Sequence, residues 1–112
     1  MNVAIVGSRD YPQPEDIWSY VATLPPDTTV VSGGARGVDS WAAAAATHHG
    51  LQVNIYPTDW ERYGKSAGYR RNAAIISAAD RVVAFWTGTS PGTAHSIRLA
   101  HQQHKPVDVH TP

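Results

Sequence analysis

The sequence predicts an α/β domain of three layers: a five-stranded parallel sheet in the order 3-2-1-4-5 with helices on both faces. Three observations predict the layers and the parallel sheet, and the strand order is one of those expected of a doubly wound sheet. Short β-branched runs alternate with helical patterns from one end of the chain to the other. Parallel strands need crossovers of the kind those helices supply. Right-handed crossovers then lay the helices back onto the sheet. At 112 residues the chain is expected to form one domain, 1–112, around a single core.

Each element has its own signal. "NVAIV" (2–6) is a β-rich run stopped by Gly7. "EDIWSYVATL" (15–24) sets Ile17, Val21 and Leu24 on one helical face, with Pro14 and two acids where a helix N-terminus favours them. "TTVVS" (28–32) is the second strand, and Asp39 or Ser40 is placed to cap a helix that runs through the alanines to Gly50. "QVNIY" (52–56) is a third strand, followed by an irregular stretch over 57–66. Residues 67–80 read as a helix, 81–86 as a buried strand and 93–104 as a helix. Residues 106–110 form an edge strand that tolerates Pro106 at its start.

Composition removes several function classes. Lys plus Arg and Asp plus Glu number nine each, so no global basic field exists. Nucleic acid is therefore not an expected partner, and an anion must meet a local site. Without cysteine there is no disulfide, thiolate metal site or thiol nucleophile. No apolar run reaches membrane-spanning length, and the expected location is the cytoplasm. His101 and His104 share a helical face, but no carboxylate completes a set with them, so neither a metal site nor a resident cofactor is expected. There is no G-x-S-x-G elbow for a serine hydrolase.

In a sheet of this kind, ligands bind outside the carboxyl ends of the strands. Four loops lie there: 7–10, 33–38, 57–68 and 87–93. Three of them join glycine to hydroxyls or Arg, as "GSRD", "SGGARG" and "TGTSPGT". Glycine lets backbone N–H groups approach a ligand, helix N-termini add orphan donors, and Arg9, Arg36 and Arg71 offer forked contacts to phosphate or carboxylate. Glycines also close βα turns with no ligand involved. Three such loops converging on one edge favour a phosphate-binding site that comprises Gly7, Ser8, Arg9, Gly33, Gly34, Gly88, Thr89 and Ser90. In the loop over 57–68, Trp60 and Tyr63 either stack on a base or pack across the sheet edge or a dimer contact, and Lys65 and Arg62 are candidate phosphate contacts. Trp18, Trp41 and Trp86 read as core or interface residues, and four Trp in so short a chain suggest a homodimer.

"AIVGSRDY", "SGGARGVDSWAA", "GYRRNAAIISAADRVVAFW" and "GTSPGTAHSIRLA" together resemble the SLOG superfamily, most closely its small YspA-like branch. The superfamily also takes in the DNA-processing protein DprA and the LOG phosphoribohydrolases. The resemblance implies a Rossmann-like fold and a nucleotide or nucleotide-derived ligand that is sensed, sequestered or processed. It gives Gly34, Arg36, Gly37 and Asp39 a ligand-loop role through "GARGVD". It sets Arg71 where the LOG enzymes carry a catalytic Arg, with Asn72 beside it, and puts Gly92 and Thr93 at the phosphate. Where those enzymes carry a catalytic Glu, this chain has Ser96. Serine cannot stabilise the oxocarbenium-like state of N-glycosidic cleavage. An enzyme of that type would need Glu61, Asp59 or Asp39 as its carboxylate, Glu61 foremost, with the long loop folded over the site. Hydrolysis or ribosyl transfer on nucleoside monophosphates is thus the alternative reading, and DprA-like binding of single-stranded DNA is a more distant one.

Overall fold

The structure, a computed structural model, describes all 112 residues. Strand β1 (Asn2–Gly7) shows why the sheet is covered on both sides. Val3 and Ile5 point to one face, Ala4 and Val6 to the other, and all four are buried. A strand that is apolar on both faces belongs at the centre of a parallel sheet. β2 (Thr29–Ser32) and β4 (Arg81–Phe85) flank it, with β3 (Gln52–Ile55) and β5 (Val107–His110) at the edges. Every pairing is parallel and the order is β3-β2-β1-β4-β5, as expected.

Helices α1 (Pro14–Ala22) and α2 (Val38–His48) cover one face. Ile17, Val21, Ala42, Ala45 and Ala46 are fully buried there against Val3, Ile5, Val30 and Val83. Alanine lets the axis of α2 approach the sheet closely. α4 (Ala67–Ala78) and α5 (Pro91–Gln102) cover the other face through Ile75, Ile76 and Ala100. No helix is long and apolar enough to cross a membrane.

Three local expectations are corrected. α2 starts at Val38 after Gly37, and Asp39 does not cap it: its Oδ2 turns back to accept from the Ala35 N–H at 3.3 Å. The stretch 57–66 is ordered into α3 (Trp60–Tyr63) and a 3₁₀ turn, Gly64–Ser66, because Asp59 Oδ1 accepts from the Arg62 N–H at 3.1 Å. α5 begins two residues earlier than expected, with Ser90 as its N-cap and Pro91 in its first turn, where the missing N–H costs nothing.

Candidate functional site

The loops after β1, β2 and β4 converge on the carboxyl edge of the sheet and enclose a cavity of about 370 Å³. Gly7, Arg9, Asp39, Arg71, Asn72, Ser90, Gly92 and Thr93 line it, joined by Asp10, Ala35 and Ser96. A wider compartment of about 630 Å³ adjoins it and adds Gly33, Gly34, Trp60, Lys65 and Tyr69. Arg9, Ala35, Arg71, Asn72, Pro91 and Gly92 border both, so the two form one cleft.

Tyr11 holds the β1–α1 loop in place. It is 2% exposed, lies edge-on to Phe85 and donates to Asp16 Oδ2 at 2.8 Å. Burial, with Asp16 as its acceptor, pushes its phenol up to about 12. It therefore stays a neutral donor, and Arg9 and Asp10 are carried on an anchored segment. Tyr11 had no signal in the sequence beyond its place at the end of "GSRDY".

The centre of the cleft is built on Gly33. Arg71 donates from Nη1 to the Gly33 carbonyl at 2.9 Å and from Nε to Asn72 Oδ1 at 3.2 Å. A Cβ on Gly33 would stand 2.8 Å from Arg71 Cζ and 2.9 Å from Asp39 Oδ2, so glycine is required for both side chains to close over this point. Asp39 is 8% exposed. Burial pushes its carboxyl up to about 6, against the pull of the Ala35 N–H, Arg71, the Gly33 N–H and Arg9. Its proton is thus lost just below neutrality, beside two guanidinium groups.

At the other wall, Ser90 Oγ accepts from the Thr93 N–H at 3.5 Å, and Thr93 is buried. The first turn of α5 borders the cavity through Pro91, Gly92 and Thr93; Pro91 has no N–H and the Thr93 N–H is capped by Ser90, so the turn offers the Gly92 N–H and its positive dipole end. Ser96 Oγ donates to the Gly92 carbonyl at 3.3 Å. Asn72 Nδ2 lies 3.3 Å from His95 Nδ1, and burial pushes the His95 imidazole down in pKa.

Other residues expected at the site border neither compartment. Ser8 is fully buried and accepts from the Thr87 N–H at 3.2 Å, so its hydroxyl ties β1 to β4. Gly37, at φ 76°, packs against the Arg9 backbone, where a Cβ would stand 2.7 Å from Arg9 Cα. Arg36, Gly88 and Thr89 are exposed on their loops, and Thr89 Oγ1 pairs with Thr87. Glu61 is exposed on α3 outside the cleft, and the carboxylates that do line it are Asp10 and Asp39. The long loop curls into its own short helix rather than folding Glu61 inward.

The aromatic pairing also differs. Arg70 and Arg62 lie over the Tyr63 ring at 4.5 and 5.2 Å, whereas Trp60 and Tyr69 line the wider compartment. Tyr69 had no signal in the sequence, since helical periodicity alone does not say which face of α4 meets the cleft. Trp18, Trp41 and Trp86 are all partly buried.

A model of the family described as "YspA, cpYpsA-related SLOG family" matches residues 1–63. The chain is 37% identical over 115 residues to the "Gene 61 protein" of Mycobacterium phage D29, covering 94% of this chain and 92% of that one. Among solved structures it is similar to DNA processing protein A (DprA) from Streptococcus pneumoniae, with TM-score 0.84, 20% identity and 96% of this chain covered. It is also similar to the Helicobacter pylori DprA, with TM-score 0.68, 25% identity and 97% covered. It spans 49% and 64% of those two chains. The H. pylori structure is described as showing a single-stranded DNA binding mode. That finding overturns the exclusion of nucleic acid drawn from net charge. Net charge sums over the whole surface, whereas binding depends on the local field. The wider compartment is lined by Arg9, Lys65 and Arg71 and by no carboxylate.

Proposed function

Since this chain belongs to the YspA, cpYpsA-related SLOG family, we propose that it binds a nucleotide or nucleotide-derived ligand, with the phosphate held in the narrower compartment. The observation that carries this reading is the convergence of Arg9 and Arg71 with the first turn of α5 on one cavity. Forked guanidinium donors and a helix N-terminus suit phosphate, while Asp10 and Asp39 on the same cavity offset part of their charge. Arg71 is already positioned by Gly33 and Asn72, so little side-chain entropy is lost on binding. Asp39, ionised at neutral pH, tempers the field of the two guanidiniums. Titration calorimetry against nucleoside mono- and diphosphates and cyclic nucleotides tests the reading. A binder whose affinity drops tenfold or more in Arg71→Ala is expected. A screen with no binder, or with Arg71→Ala unaffected, overturns it.

A second reading, single-stranded DNA along the same edge, is favoured by the lining of the wider compartment, which is cationic without a carboxylate, and by the DNA-binding H. pylori relative. It predicts a gel shift that weakens steeply with salt. For N-glycosidic cleavage, Ser96 carries no charge and Glu61 lies away from the cleft, which leaves Asp39 as the carboxylate of the expected set that lines it. A base-release assay on nucleoside monophosphates separates binding from cleavage.

A further inference from the structure

We propose that the wider compartment is a base-stacking subsite. The planar base of the ligand whose phosphate occupies the narrower compartment lies against Trp60 and Tyr69. The proposal rests on the phosphate reading above and extends it to the other end of the ligand.

Trp60 is 60% exposed and Tyr69 58%, in a chain whose other three tryptophans are all partly buried. Leaving two large rings in water forfeits their burial, so their position calls for an occupant. Each ring has a neighbour on the protein surface. A Cβ on Gly68 would stand 4.0 Å from Trp60 Cη2, which places the indole across the first turn of α4. Tyr69, the next residue, is held edge-on to His95 at 4.7 Å. Tyr63 is nearby but already covered by Arg62 and Arg70. The two rings line one compartment, flanked by Lys65 and Arg71 and continuous with the phosphate compartment through Arg9, Asn72 and Gly92. A planar heteroaromatic group joined to an anion matches that lining, and such a group comes from a free nucleotide or from a nucleotide within a single strand.

The test is calorimetry with ribose 5-phosphate, the four common nucleoside 5′-monophosphates and a 5′-phosphorylated oligothymidylate. The best monophosphate is expected to bind about tenfold more tightly than ribose 5-phosphate. Trp60→Ala and Tyr69→Ala reduce that advantage and leave ribose 5-phosphate unchanged, whereas Trp60→Phe keeps most of it. Both rings are exposed, so thermal melts of these variants should match the parent. A Trp60-dependent gain of the oligonucleotide over every monophosphate identifies the strand as the source, and its absence identifies the free nucleotide. If the base adds nothing to ribose 5-phosphate, or if Trp60→Ala weakens both ligands equally, the stacking proposal falls and the phosphate reading stands. If no phosphorylated probe binds at all, both fall.

Discussion

The guanidinium of Arg71, on α4, donates to the carbonyl of Gly33, in the loop after β2, at 2.9 Å across 38 positions of sequence. Gly33→Ala puts a methyl group into the Arg71 guanidinium and against Asp39 Oδ2. The expected cost is about 1–3 kcal/mol of stability, as for other overpacked sites. Removing the obstructing side chain should recover part of it. In a double-mutant cycle by urea unfolding, Gly33→Ala combined with Arg71→Ala should be less destabilised than the sum of the two. Strict additivity contradicts the packing described.

Gly37 is constrained by its backbone as well as by space. It has φ 76°, and a Cβ there meets the Arg9 main chain, which cannot swing aside as a side chain can. Gly37→Ala should cost at least about 2 kcal/mol. Gly92, where a Cβ would meet open space, is the matched control. Gly92→Ala should leave the melting temperature close to that of the parent. Equal melting temperatures for the two variants count against this distinction.

Asp39 makes stability depend on pH. Its folded-state pKa of about 6 lies above the ordinary carboxylate value, so below that value both states hold the proton and burial carries no ionisation cost. Between about pH 4 and pH 6 the folded state holds more protons than the unfolded one, and stability falls as pH rises through this window. Above it the full cost remains, up to about 3 kcal/mol at 1.36 kcal/mol per unit. Urea unfolding should therefore show Asp39→Asn gaining on the parent as pH rises across that window. A difference that does not vary with pH rejects the assignment. Sulfate, which does not titrate here, should also bind the parent more tightly near pH 5 than near pH 7.5, because protonation unmasks Arg9 and Arg71. The Asn variant should lose that trend.

Ser8 separates architecture from ligand contact. Its hydroxyl accepts from the Thr87 N–H inside the fold. Ser8→Ala strands that donor and should cost about 1–3 kcal/mol. Affinity for a phosphate probe, measured where the variant is fully folded, should not change. A large loss of affinity without loss of stability would return Ser8 to the ligand site.

The parallel sheet, the two helical layers and the convergence of glycine loops at one edge were legible because they follow from local periodicity and general packing rules. The alternation of Val3, Ala4, Ile5 and Val6 already implies a strand covered on both faces. The conversion of 57–66 into a short helix was less visible, since it depends on the single Asp59 cap. At the cleft, the sequence by itself determined which loops and which charged and glycine residues are brought near one another. Only the tertiary structure decided what each does there. Ser8 and Gly37 look like ligand residues in sequence yet serve strand tying and backbone contact, while Tyr69 enters the cleft from a helix face that periodicity did not assign. The reason is physical. Periodicity assigns a residue to a face, but a side chain's direction at a loop or first helical turn is set by neighbours 38 to 79 positions away, as with Arg71 and Gly33 or Ser8 and Thr87. Burial of the Asp39 carboxyl, and with it a proton lost near pH 6, likewise exists only once those distant segments close over it.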